Sequence, residues 1–167
     1  MRGLAVVSLL VAALLTLGPA AADAQASSAS EQKAWKKRPR AGAEKPFGRE
    51  GDPRKVKRII RVDMSDTMRF FPSEIRVKRG DTVRFAVRNS GELPHALVLG
   101  TMEDLKKHAD LTKKNGDMDH SAAHAVHVKP GATGRIVWHF TKAGEFYYGC
   151  LVPGHFEAGM IGTIVVR

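Results

Sequence analysis

The sequence predicts an all-β protein, a Greek-key β-sandwich of seven to eight short strands with one short inserted helix. Three observations carry this prediction. From Lys57 onward, apolar and polar residues alternate in short runs broken by Gly, Pro, Asn and Asp, the pattern of strands with one buried face. A single stretch departs from that period and reads as a helix. No segment repeats, and the length that remains after a predicted leader, about 140 residues, suits one domain with one core.

The elements follow in order. Ile59 to Val62 is a first strand. Ile75 and Val77 alternate with Arg76 and Lys78, a turn follows at Lys78-Arg79-Gly80-Asp81, and Val83, Phe85 and Val87 then alternate with polar neighbours. This pair reads as a hairpin with one face buried. Ala96 to Leu99 is apolar throughout, as in a strand covered on both sides. Met102 to Asn115 carries Glu103 and Asp104 early, and Lys113 and Lys114 late. That charge order suits a helix dipole, and Gly116 supplies the stop. Asp117 to His127 is a polar loop bearing histidines, and strands resume at Gly134 to Phe140, Glu145 to Cys150 and Gly162 to Val166.

The N-terminal end has a different character. Arg2, the apolar run from Leu4 to Leu17, Gly18-Pro19 and the small residues ending in Ala22-Asp23-Ala24 predict a signal peptide over residues 1–24, and so export to the periplasm. The apolar run is short of the roughly 20 residues that span a bilayer. The net charge of +10 is concentrated just after it: from Gln25 to Arg58 eleven bases face four acids. This stretch is poor in large apolar residues and is expected to be a flexible basic linker, residues 25–58, ahead of a domain at 59–167. A basic linker reaches at most peripheral membrane contact or an acidic partner protein. Nucleic acid is not expected as a partner of an exported chain, and a monomer is expected.

One cysteine in an exported chain excludes an intrachain disulfide framework. Cys150 is therefore free, paired between chains or committed to a metal. It opens the run Cys150-Leu151-Val152-Pro153-Gly154-His155-Phe156-Glu157-Ala158-Gly159-Met160, in which a thiolate, an imidazole and a thioether share a Pro- and Gly-containing loop. A second imidazole, His95, follows a loop holding Gly91 and Pro94, and a sandwich can bring the two loops to one end. Two imidazoles, a thiolate and a weak Met sulfur make a blue-copper-type electron-transfer set. Mixed soft and borderline donors tolerate both copper oxidation states, so little has to move with the electron.

The pattern C-x4-H-x4-M with an upstream His resembles the cupredoxins, the plastocyanin-like type 1 copper proteins. The likeness covers roughly Ile59 to Arg167. The runs Asp63 to Phe70, Ile75 to Val83 and Gly149 to Met160 are most similar to the bacterial periplasmic copper-tolerance cupredoxins. That resemblance implies His95, Cys150, His155 and Met160 as ligands of one type 1 copper, with the histidines binding through Nδ1. The subgroup usually shows an acid and then a Met after the upstream His, where this chain has Ala96 and Leu97.

Candidate accessory copper ligands are Met64 and Met68, which are equally readable as core fillers, and Met118, His120, His124 and His127 in the polar loop. His108 is expected to face solvent, and His139 to be structural. No Ser/His/Asp set, carboxylate pair or phosphate loop supports hydrolysis or group transfer. The function implied is copper binding and redox cycling in copper tolerance. The alternatives are a soluble electron carrier whose redox partner docks near His155 on Leu151, Val152, Pro153 and Phe156, and copper(I) oxidation or superoxide chemistry at an accessory copper.

Overall fold

Alternating side chains build two facing sheets in the computed structural model, which describes residues 44–115 and 122–167. The predicted signal peptide, most of the linker, Gly116, Met118 and His120 lie outside the described residues. The strands are β1 (Arg49–Glu50), β2 (Arg58–Ser65), β3 (Arg69–Phe71), β4 (Glu74–Val77), β5 (Thr82–Asn89), β6 (His95–Gly100), β7 (Ala125–Val128), β8 (Thr133–His139), β9 (Gly144–Gly149) and β10 (Ile161–Val166). The helix, α1 (Met102–Asn115), lies between β6 and β7. One sheet runs β1-β8-β5-β2-β3 and the other β4-β10-β9-β6-β7. The sandwich is thus as expected, with more strands than the sequence suggested among the described residues.

The core is the inner face of each sheet. Val62, Val83, Phe85, Val87 and Ile136 from the first meet Ile75, Leu97, Leu99, Tyr148 and Ile164 from the second. Each such side chain contributes about 1.5–3 kcal/mol by burial.

Three expectations require correction. The strands β4 and β5 do not form a hairpin: β4 pairs in parallel with β10, while β5 pairs with β2 and β8 in the other sheet. Alternation reports only that one face is buried, which a strand facing its neighbour across the core satisfies as well as one paired beside it. The connecting turn is held from outside, with Arg79 N–H donating to Arg167 O at 2.8 Å and Gly80 N–H to Phe140 O at 2.7 Å.

Residues 44–58 are not linker. Arg49 and Glu50 pair with His139 and Trp138. Phe47 is buried, stacks on Trp138 with ring centroids 5.2 Å apart, and accepts the Trp138 indole N–H at 2.8 Å through its carbonyl. One aromatic anchor orders a stretch whose composition is otherwise that of a linker. Third, His127 belongs to β7 and not to a loop.

The apolar run of β6 is buried at every position, as expected. Its inner face meets the core, and a second cluster of Val98, Leu105, Ala109 and Leu151 covers the outside with α1. The helix begins on a Thr101 N-cap, its Oγ1 accepting from Asp104 N–H at 3.1 Å and donating to Asp104 Oδ2 at 2.7 Å.

Candidate metal centre

Two loops at the same end of the sandwich converge. The upstream loop, residues 90–94, leaves β5 and delivers His95 as the first residue of β6. It is braced from below by Asn89, which is fully buried: its amide donates to Leu93 O at 2.8 Å and Val128 O at 3.0 Å, and its Oδ1 accepts from Gly91 N–H at 2.9 Å. Such a side chain does for an irregular loop what a ladder does for a strand.

From above, the β2–β3 turn supplies Asp66. Its carboxylate accepts from Glu92 N–H at 2.7 Å, from Leu93 N–H at 3.3 Å and from His95 Nε2 at 3.0 Å. These contacts, the Glu92 amide first and His95 next, hold the Asp66 carboxyl below its usual pKa range.

The downstream loop, residues 150–160, is a chain of turns that folds on itself. His155 N–H donates to Val152 O at 3.0 Å, Met160 N–H to His155 O at 3.0 Å, and Cys150 N–H to Met160 O at 3.1 Å. Gly154 at φ 85° and Gly159 at φ 87° supply left-handed conformations that let it curl. Arg69 fastens it to the first sheet, donating to Ala158 O at 3.0 Å and Met68 O at 2.7 Å. Beneath it Phe156 packs on Gly149 and on the helix cluster around Leu105.

His95, Cys150 and His155 meet where these loops touch, their donor atoms all within 4.8 Å of one another. The Cys150 Sγ lies 3.4 Å from His155 Nδ1 and 3.9 Å from His95 Nδ1, and the two Nδ1 atoms are 3.1 Å apart. The Ala96 N–H donates to the sulfur at 3.3 Å. Among the described residues this is the one group of three or more His, Cys, Asp or Glu side chains with such convergence. His95 and Cys150 are fully buried and His155 partly so. Burial pushes the Cys150 thiol up, with the Ala96 and Val152 amides opposing. Burial, then repulsion from His95, lowers His155. Met160 is fully buried and tied by its backbone to both Cys150 and His155.

One thiol and two imidazole Nδ1 atoms, crowded together and largely buried, suit a soft or borderline cation such as copper and not a hard, oxygen-seeking one.

The accessory residues distribute differently. Met64 is fully buried in the core, which is the filler alternative, and Met68 sits partly buried against it at φ 58°. His124 packs its ring near Phe47 and Trp138, at 5.7 and 6.0 Å between centroids. His127 is exposed on β7, opposite Ala96. His108, expected on the solvent face, is partly buried in a cleft with Leu105, Leu111 and His124, and burial lowers its pKa. His139 bonds Thr82 Oγ1 through Nδ1 at 3.1 Å, a structural contact as expected. Leu151, assigned to an exposed patch, is instead buried with Val98 and Leu105, because α1 covers it.

Sequence reasoning missed Asp66, Asn89 and Arg69. The only local signal was an Asn-Ser-Gly run at the end of β5, which reads as a turn and says nothing of what the turn holds.

The comparisons agree with this geometry. Residues 56–167 match the family model described as copper binding proteins, plastocyanin/azurin family. The chain is 55% identical over 125 residues to the copper-resistant cuproprotein CopI of Rubrivivax gelatinosus, covering 75% of this chain and 76% of that one. It is 32% identical to the protein of the same name from Pseudomonas aeruginosa, over 95% of this chain and 97% of that one. Among solved structures, reduced auracyanin of Roseiflexus castenholzii superposes with a TM-score of 0.58 at 20% identity, over 67% of this chain and 98% of that one, a likeness of fold.

Proposed function

Since the chain belongs to the plastocyanin/azurin family of copper-binding proteins, we propose that it is a periplasmic cupredoxin of copper tolerance, binding one copper through His95, Cys150, His155 and Met160. The convergence of the buried thiol with two Nδ1 atoms carries this reading. The relatives named as copper-resistant cuproproteins support the tolerance role. The predicted signal peptide supports export, and no helix of the described residues is long and apolar enough to cross a membrane.

A copper ion at this site supplies a one-electron couple, and the remaining work is done by the chain. The paired loops hold the donors close through their own hydrogen bonds, an arrangement that limits reorganisation on a change of charge. The Ala96 amide stabilises negative charge on the Cys150 sulfur. Core packing and Leu151 exclude water, while partly exposed His155 leaves one edge of the centre near the surface.

That edge favours a second reading, a soluble electron carrier docking beside His155. Leu151 does not contribute to such a surface, which leaves exposed Pro153 and half-buried Val152 and Phe156. Deleting the gene and restoring either the wild type or Cys150→Ser separates the readings. Copper sensitivity rescued by wild type alone, with normal respiratory flux, supports tolerance; unchanged copper growth with reduced flux overturns it in favour of the carrier.

A further inference from the structure

The β2–β3 turn joins two neighbouring strands of the first sheet at the metal end, and its Asp66 makes a contact that loop bracing alone does not require. The loop amides of Glu92 and Leu93 already have the carboxylate. Asp66 Oδ1 nevertheless also lies 3.0 Å from His95 Nε2, the ring nitrogen opposite the one that faces Cys150 and His155. The imidazole is fully buried, whereas the carboxylate is about one-third exposed.

The backbone makes room for this. A Cβ on Gly91 would fall 2.0 Å from Asp66 Oδ1, so the carboxylate occupies space that any other residue at that position would claim. Asn89 in turn holds the Gly91 N–H.

We propose that Asp66 is a positioning residue of the metal centre: it accepts the His95 Nε2–H, fixes the tautomer that presents Nδ1 as donor, and biases the couple toward the oxidised metal by its negative charge. A carboxylate acceptor restricts a ligating imidazole to one tautomer and raises its basicity. An anion near the site also stabilises the higher charge state more than the lower. The inference rests on the copper site proposed above and adds an outer partner to it.

The test uses copper-loaded wild type, Asp66→Asn, Asp66→Glu and Gly91→Ala, read by reduction potential and by the NMR resonance of the His95 Nε2–H in the copper(I) form. In Asp66→Asn the amide oxygen in the Oδ1 position keeps the His95 hydrogen bond, the charge is gone and the Glu92 N–H loses its acceptor, so Gly91→Ala serves as the variant that keeps the carboxylate. The copper(II) affinity is expected to fall about tenfold relative to copper(I), a rise of about 59 mV. The visible thiolate band and the Nε2–H resonance persist in that variant. Asp66→Glu returns the potential toward wild type. Gly91→Ala keeps the charge and displaces it, raising the potential by less. A wild-type thiolate band with the same potential in Asp66→Asn and Gly91→Ala overturns the proposal and leaves Asp66 a loop brace. No thiolate band in wild type overturns the copper site itself, a distinguishable result.

Discussion

His95 and His155 offer the same ring nitrogen to the same point, yet they are held in opposite ways. His95 begins a strand buried along its whole length, is itself fully buried, and has its far nitrogen on a carboxylate. His155 rides a loop of turns, is partly exposed, and is held by backbone hydrogen bonds of its own segment and by Arg69 across the loop. One ligand is thus part of the sandwich and the other is laid over it. In the redox centre proposed above, such a division would let a rigid half set the geometry and a half near the surface offer a path to a partner.

The sharpest way to break this comparison is to truncate each ring. His155→Gly is expected to fold and to recover a copper spectrum when free imidazole is added, since the vacated space is at the surface. His95→Gly removes a buried ring and its Asp66 contact, at a cost on the order of 3 kcal/mol, and imidazole restores little. Absorption titrations with imidazole, alongside thermal unfolding, check both. Equal rescue in the two variants would show that the burial difference has no functional weight.

A smaller effect is expected from Asn89→Ala, which strips the upstream loop of its brace. Two carbonyls and an amide lose partners, for a loss of about 2–3 kcal/mol by denaturant unfolding. The copper spectrum is expected to broaden as His95 loses its fixed approach. The smallest effect belongs to the downstream loop. Gly154→Ala imposes a left-handed alanine at φ 85° with no neighbour to clash, a destabilisation of about 1–2 kcal/mol with the spectrum kept.

The same contrast explains what could be read from the sequence. The downstream half of the candidate site was legible because it is local: Cys150 and His155 sit at fixed spacing in one loop that Met160 closes, and a lone cysteine asks for an explanation. His95 was legible as the imidazole that such a set lacked. The helix was legible from its charge order, and β6 from its unbroken apolar run.

Pairing partners were not legible. Val77 and Val83 alternate as a hairpin would, but the turn between them passes from one sheet to the other, a choice made by Arg167 and Phe140 far along the chain. Nor could composition reveal that Phe47 has Trp138 to stack on, ninety-one positions away. Asp66 was invisible as a partner of His95 for the same reason: an acid in a turn has a meaning only when the fold shows what faces it.

The most direct test of the central claim is a copper titration of the mature protein, followed by visible absorption and electron paramagnetic resonance, on wild type and Cys150→Ser. One tight equivalent with strong thiolate-to-copper bands in wild type, absent from Cys150→Ser, is the result predicted. No thiolate band in either protein would contradict the account, leaving a β-sandwich whose buried cysteine and paired imidazoles serve something other than a type 1 copper.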